Sequence, residues 1–180
     1  IGSGVASTLI SQAAVCVTDD GHFEGYPTGG SFCGEAYPTP YKVYIAGEFS
    51  RPSCERGIWR QDKILAGSNF VEGPNSGFWF TFNAEQEKTL LYRFALSYVS
   101  IENAKENLKA DKLGWDFDDV ATRAESKWNE CLGRIEVDGT NQSRKQQFYT
   151  HLYHALIHPS LASDANGEYM GADERIHKSR

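Results

Sequence analysis

The sequence is short of the features by which several large classes are recognised. No stretch of its 180 residues approaches the roughly 20 consecutive apolar positions that cross a bilayer, so no membrane-spanning helix is expected. Basic residues are outnumbered, 18 Lys and Arg against 24 Asp and Glu, for a net charge of −6. Binding to phosphate backbones rests on clustered Lys and Arg, so nucleic acid is not an expected partner. The four cysteines, Cys16, Cys33, Cys54 and Cys131, form no CxxC pair, which removes the zinc-knuckle and thioredoxin-like readings. Disulfides in an oxidising compartment stay open, because spacing does not set pairing. Met170 is the single methionine, and Ile1-Gly2-Ser3-Gly4 is not a basic segment leading into an apolar core. A signal peptide is therefore absent, removed, or outside this segment. No internal repeat or low-complexity tract appears, and the sequon Asn141-Gln142-Ser143 has meaning only in a eukaryotic secretory setting.

What is present changes character near residue 100. Before it, Tyr41–Ala46, Phe78–Phe82 and Leu90–Val99 alternate aromatic or branched residues with others, as strands do. Turn-rich segments separate them: Gly29-Gly30, Pro38-Thr39-Pro40 and Gly73-Pro74-Asn75-Ser76-Gly77. Strands joined by such turns, without crossover helices, predict an antiparallel sandwich. After residue 100 the period becomes helical. Ser100 is placed to cap a helix from Ile101 to about Ala110, with Glu102 in its first turn. Asp116 is placed to cap a second, whose face carries Phe117, Val120, Ala124, Trp128, Cys131 and Leu132. A third runs from about Gln142 to His158, before Pro159, and its two apolar stripes predict packing on more than one neighbour. Asn166-Gly167, between extended residues, predicts a hairpin.

Four groups of residues invite chemical readings. His151, His154 and His158 share one side of the third helix, but no Glu completes an HExxH pattern; imidazoles satisfied by tyrosines and backbone are the simpler account. Asp164-Ala165-Asn166-Gly167-Glu168 resembles a calcium loop only superficially: its Gly is at position four, and Arg175 stands where the closing Glu belongs, so a polar hairpin tip is expected. Asp116, Asp118 and Asp119 sit at a helix start, where carboxylates cap and complement the dipole. Gly29-Gly30-Ser31-Phe32-Cys33-Gly34 reads either as a loop offering a sugar an aromatic face or as a plain turn.

Taken together, these segments resemble glycoside hydrolase family 92. Ser97-Tyr98-Val99-Ser100-Ile101-Glu102-Asn103-Ala104-Lys105-Glu106-Asn107-Leu108 is similar to the family's junction between its last sandwich strand and its linker helices. Gly114-Trp115-Asp116-Phe117-Asp118, Trp128-Asn129 and Leu132 to Val137 follow in order. Phe148-Tyr149-Thr150 with Leu152-Tyr153-His154 resembles the opening helix of the catalytic barrel, and Ser163-Asp164 through Asp173 continues the match. Upstream, Gly30 to Gly34, Tyr41 to Tyr44 and Glu48-Phe49 resemble the sandwich segment. His151, where the family more often has a small residue, and Ser31, where it usually has Gly, depart from the pattern.

The resemblance implies a partial β-sandwich followed by an α-helical linker and the first helix of an (α/α)6 barrel, a mixed β-then-α fold. The implied division is sandwich 1–100, linker 101–139, and start of the catalytic domain 140–180. It implies a calcium-dependent, exo-acting, inverting α-mannosidase of α-1,2 linkages, acting on mannose-containing glycans and secreted, periplasmic or at the cell surface. Inversion takes a general acid and a general base about 6.5–9.5 Å apart. The resemblance puts these carboxylates and the calcium ligands beyond Arg180, so neither catalytic nor metal-binding residues are assigned here and the segment alone is expected to be inactive. Phe32 and Cys33 are the residues it implicates in substrate contact, at the rim of the mannose pocket. The third helix is expected to expose apolar surface meant for the remainder of the catalytic domain. A competing reading is a stand-alone carbohydrate-binding sandwich, with Trp59, Phe78 and Trp79 as an exposed aromatic row; a zinc-binding helical domain rests on the histidines alone.

Overall fold

The computed structural model describes residues 12–30, 40–85, 87–111, 114–158 and 161–179. They form two compact units, residues 1–112 with 162–180, and residues 113–161.

The larger unit is built on two antiparallel sheets. The first contains β1 (Gln12–Val17), β2 (His22–Gly29), β3 (Tyr41–Lys42), β4 (Tyr44–Phe49), β7 (Phe70–Glu72) and β9 (Tyr92–Ser97), in the order β7-β1-β2-β4-β9 with β3 paired to β2. The second contains β5 (Glu55–Arg60), β6 (Lys63–Leu65) and β8 (Ser76–Thr81), ordered β6-β5-β8. Alternation puts Val15 and Val17 of β1 on the face that meets Ile58, Leu65, Phe78 and Phe80 of the second sheet, and Val71 completes that core. Phe23 stacks on Phe78 at 4.8 Å and Phe49 meets Phe80 edge-on at 5.0 Å, so aromatic pairs continue the apolar layer along the sheets. The two-layer antiparallel architecture anticipated before residue 100 is present.

Two local facts escape the strand pattern. The run Tyr41–Ala46 is split at Val43 into β3 and the start of β4, each pairing with a different part of β2. β2 carries Gly25 and Pro27, residues that weaken a strand reading, yet it lies inside the sheet. Gly25 is needed there because a side-chain carbon would strike the Ala14 carbonyl of β1.

On the second sheet, Gly57 pairs with Trp79 and Trp59 pairs with Gly77. A methyl carbon at Gly57 would sit 2.7–2.8 Å from three indole atoms of Trp79, and the mirror arrangement holds for Gly77 beneath Trp59. Each indole thus lies over the glycine of the facing strand. Phe78, one residue earlier, points into the core instead. The aromatic row imagined for a stand-alone binding module is therefore corrected: strand alternation sends Phe78 to the opposite face from Trp59 and Trp79.

The helix α1 (Ile101–Ala110) packs on the other face of the large sheet, against β9 and β4. Small side chains permit the approach: Ala46 and Ala95, which pair across β4 and β9, are buried with Ala104 of the helix. Ser100 caps α1 as expected, its side chain accepting from the Asn103 amide at 3.0 Å.

The smaller unit holds α2 (Phe117–Leu132) and α3 (Gln142–Ile157). Asp116 caps α2 by accepting from the Asp119 amide at 3.0 Å, and Asn141 caps α3. Trp128 meets Tyr153 at 4.6 Å, and Tyr149 Oη donates to the Ile135 carbonyl at 3.1 Å. Neither helix buries a residue. Tyr153, Leu156 and Ile157 are 39–45% exposed, which is the open apolar face the sequence predicted for the third helix. Pro159 lies outside the described residues.

Gly47 of β4 offers a test of the packing. A Cβ there would press into the Phe23 ring and lie 2.9 Å from the Phe94 Cβ. Gly47→Ala is expected to lower the unfolding free energy by about 1–3 kcal/mol in chemical denaturation, the cost of overpacking a filled layer.

Candidate functional site at one end of the large sheet

Registers place three features at a common end of the large sheet. β2 leaves the sheet at Gly29, β3 re-enters at Tyr41, and β9 ends at Ser97, which pairs with Tyr44 at the start of β4. In the sequence, the Gly-rich segment with Phe32 and Cys33 falls between the first two. Phe32 and Cys33 themselves lie outside the described residues, and their stem is what the structure specifies. Thr28 pairs with Lys42 and Gly29 with Tyr41, and Val43 donates its amide to the Pro27 carbonyl at 3.3 Å. Tyr26 and Tyr44 meet edge-on at 5.5 Å, and Lys42 Nζ stands 4.6 Å from the Tyr26 ring centre. These aromatics brace the paired ends of β2 and β3.

At the third, the end of β9, Ser97 bonds to Asp164, which leads into a hairpin of β10 (Glu168–Met170) and β11 (Ile176–Lys178). Its position corrects the sequence reading. Asn166-Gly167 does not join the two strands; it forms a turn before β10, with Gly167 at φ +84° and its amide bonded to the Asp164 carbonyl at 2.8 Å. The chain reverses instead through Gly171–Arg175, where the Gly171 amide donates to the Arg175 carbonyl at 2.8 Å. Glycine at positive φ suits either role, so the dipeptide alone does not decide between them.

Asp164 is likewise corrected: it is buried, not a polar tip. Its Oδ2 accepts from Ser97 Oγ at 2.7 Å and from Asn103 Nδ2 at 2.8 Å, and its Oδ1 accepts from Asn107 Nδ2 at 2.7 Å. Asn107 also donates to the Leu96 carbonyl at 2.8 Å and accepts from the Ala165 amide at 2.7 Å. Asn103 donates to Glu168 Oε2 at 2.9 Å. A buried carboxylate is tolerable only when its lone pairs are satisfied, and three donors from β9 and α1 do that here. Ser97, Asn103 and Asn107 were read as parts of a family junction, with no hint that their side chains converge on residue 164. The signal was the i, i+4 spacing of the two asparagines on a helix beginning just after Ser97.

A second polar assembly lies on the α1 side of the same sheet, around a cavity of ≈ 360 Å³. His22 Nδ1 meets Asp19 Oδ1 at 2.7 Å and its Nε2 meets Glu48 Oε2 at 2.9 Å. The other oxygen of Glu48 takes Arg93 Nε and Nη2, each at 2.6 Å. Across the cavity Lys105 Nζ pairs with Glu24 at 2.5 Å, tying α1 to β2. The hydrogen bond that His22 donates to Asp19, aided by the charges of Asp19 and Glu48, raises the His22 pKa against a smaller opposing effect of burial. Burial alone would raise the Asp19 carboxyl, but hydrogen bonds from Gly21 and His22 outweigh it and hold it below its usual value. The cations and carboxylates here neutralise one another, which suits a brace better than a reactive centre. Cys16, also facing this side, has its thiol pushed up by burial and by Glu24, so it is a poor thiolate at neutral pH.

The remaining candidates do not assemble. His151, His154 and His158 are all exposed, and among the described residues no group of three or more His, Cys, Asp or Glu stands together as a metal cage. Asp164 does not fit calcium, because the groups aimed at its oxygens are N–H and O–H donors. Asp116 caps a helix, and Asp119 pairs with Arg123 at 3.0 Å. Among the described residues Cys16, Cys54 and Cys131 are free thiols. No helix among the described residues is long and apolar enough to cross a membrane.

Comparison with known proteins defines the class first. A sheet domain handing over to helices matches, in order, the two domains of a sugar-cleaving enzyme: the model of the glycosyl hydrolase family 92 N-terminal domain covers residues 1–97, and that of the catalytic domain covers 103–180. This chain belongs to glycosyl hydrolase family 92. A secreted glycosidase of Arthroderma benhamiae, itself uncharacterized, is 34% identical over 143 residues, 71% of this chain and 18% of the relative. A family 92 α-mannosidase from Bacteroides thetaiotaomicron has the same fold, with a TM-score of 0.82 at 23% identity, over 96% of this chain and 23% of that one. A further family 92 glycosyl hydrolase aligns at 25% identity with a TM-score of 0.81, over 94% of this chain and 22% of its own. The chain thus spans less than a quarter of the length of these relatives.

The His22 bridge predicts a pH dependence of definite sign. A group whose pKa is raised by folding contributes stability that is fully present below its unfolded pKa, about 6.5, and lost as pH rises through the folded value. The melting temperature of the unaltered protein should therefore exceed that of His22→Gln most near pH 6, and the gap should narrow as pH rises above neutrality. Below that range the gap should shrink again as Asp19, its pKa lowered, takes up a proton. Equal gaps across the series, by differential scanning fluorimetry, would dismiss the bridge.

Proposed function

We propose that the chain is the N-terminal part of a secreted, inverting exo-α-mannosidase that releases terminal mannose from glycans, with α-1,2 linkages as its substrate. The observation that carries this reading is the ordered pair of family 92 domain matches, sheet domain then catalytic domain, along one chain. Support for the substrate comes from the neighbours: one solved structure is a family 92 α-mannosidase bound to mannoimidazole, and another is described as an inverting mannosidase. Support for secretion comes from the Arthroderma benhamiae glycosidase, described as secreted.

On this reading residues 1–100 belong to a β-sandwich, 101–139 to a helical linker, and 140–180 to the start of an (α/α)6 barrel. The exposed face of α3 then awaits the remainder of the catalytic domain. Phe32 and Cys33, which lie between β2 and β3 in the sequence, would contact the terminal sugar at the rim of the mannose pocket. Their role is positional, and no acid, base or calcium ligand is assigned in this chain. Calcium would act as an oxygen-ligated Lewis acid on the sugar hydroxyls. The described residues provide no cage for it. The stand-alone binding module receives no support as an account of the whole chain, since the match continues into a catalytic domain.

The test is made on the longest polypeptide the gene encodes, incubated with α-1,2-mannobiose with calcium and then with chelator, following the anomeric protons by NMR. β-Mannose should appear first, and only with calcium. First appearance of α-mannose would overturn inversion, and no release from folded protein would overturn the mannosidase reading. Phe32→Ala should lower kcat/KM by about 10-fold or more if the loop meets the sugar, the loss of one well-packed aromatic contact.

A further inference from the structure

We infer that the outward face of the three-stranded sheet is a second carbohydrate contact, in which Trp79, with Trp59 beside it, is a stacking surface for neutral sugar rings. The sequence places Gly57-Ile58-Trp59 on β5 and Gly77-Phe78-Trp79 on β8, and the register crosses the two so that each glycine faces the other strand's tryptophan. Three atoms of each indole are nearly equidistant from where the facing glycine's methyl carbon would be: 2.7, 2.8 and 2.8 Å for Trp79, and 2.5, 2.7 and 2.9 Å for Trp59. The Nε1–Cζ2 edge of each indole therefore covers the facing glycine, on the side of the sheet away from Ile58, Phe78 and Phe80. Trp79 Nε1 is shielded from solvent without a hydrogen-bond partner among the described residues, so the outward surface is carbon and π system, not a donor.

The surroundings define the ligand. A groove of ≈ 650 Å³ runs beside Trp79, within the roughly 300–1,000 Å³ range of small-molecule sites, and Ile64, Ser68 and Asn69 form its rim. Its one charged residue, Arg56, is engaged by Asp20. An apolar surface flanked by a hydroxyl and an amide, in a groove whose one charged lining residue is already paired, suits the C–H face and equatorial hydroxyls of a pyranose better than an anion or an acidic peptide. The glycine–tryptophan crossing also stabilises the sheet by covering glycine backbone. The platform follows because the covering rings are themselves left half-exposed, with Ile64 at 68% exposure beside them. The choice of mannan as one probe rests on the mannosidase reading; the platform itself does not.

The experiment is affinity electrophoresis of the full-length protein through gels containing soluble mannan or dextran, since a stacking face discriminates weakly among hydroxyl configurations. The unaltered protein should be retarded by at least one polysaccharide. Trp79→Ala should weaken retardation by roughly three- to tenfold, the scale of one aromatic contact, with α-1,2-mannobiose turnover unchanged. Ile64→Glu provides the same test at an exposed position where folding is insensitive to the change. Retardation by neither polysaccharide, or equal retardation of all three proteins, overturns the platform. Retardation lost in both variants, with no mannobiose cleavage by any of the three, upholds the platform while the mannosidase reading falls.

Discussion

The buried carboxylate of Asp164 is the contact on which the arrangement of the larger unit depends. The chain leaves that unit after α1, forms α2 and α3, and returns at residue 162. Among the described residues little apolar burial secures the return: β11 is exposed throughout and β10 is at most half-buried. What fixes it is a polar network centred on one carboxylate shared by Ser97, Asn103 and Asn107, at the end of β9 and along α1, to which Ala165 and Glu168 add bonds with the same two asparagines. Hydrogen bonds to a charged acceptor are stronger than neutral ones, and a desolvated carboxylate deprived of them is heavily penalised, so undocking the segment would cost these bonds together. The same Ser97 hydroxyl accepts the Val99 amide at 2.9 Å, so strand end, helix start and returning hairpin share one network.

A second constraint is the absence of side chains at chosen points. Gly25, Gly47, Gly57 and Gly77 each lie where a neighbour's backbone or aromatic ring occupies the space a Cβ would need. Phenylalanines fill the layer between the sheets, while the two tryptophans are turned outward over their glycines. The smaller sheet covers the core around Val17, Ile58 and Val71. Tyr92, Phe94 and Leu96 on β9 remain 46–62% exposed on alternate positions, so the larger sheet is only partly covered by the smaller.

Much of this was legible in residue order. The three helices and their caps at Ser100 and Asp116 followed from side-chain chemistry at fixed offsets, which is local and so survives without tertiary knowledge. The family was legible because several short segments kept their order. β1, β2, β5, β6 and β7 were not read: β2 carries Gly and Pro, β6 and β7 span three residues each, and β1 and β5 show no clear alternation of apolar and polar residues; their stability comes from pairing, which a single strand does not display. The Asn166-Gly167 turn was recognised and misplaced, because a positive φ is permitted by glycine wherever the chain bends. Asp164 was misread for the opposite reason. Its partners are 57–67 residues away, and acidic residues near glycine ordinarily face solvent.

Hydrogen exchange of the full-length protein, residue by residue, tests the anchoring most directly. The amides of Ala165 and Gly167, one bonded to the Asn107 side chain and the other to the Asp164 carbonyl, should exchange as slowly as those of β9. In Asp164→Ala they should exchange at least about tenfold faster, equivalent to ~1.4 kcal/mol of lost anchoring, while the β1–β2 ladder is unchanged. Unaltered exchange at Ala165 and Gly167 in that variant would contradict the account, leaving the hairpin held by something other than the shared carboxylate.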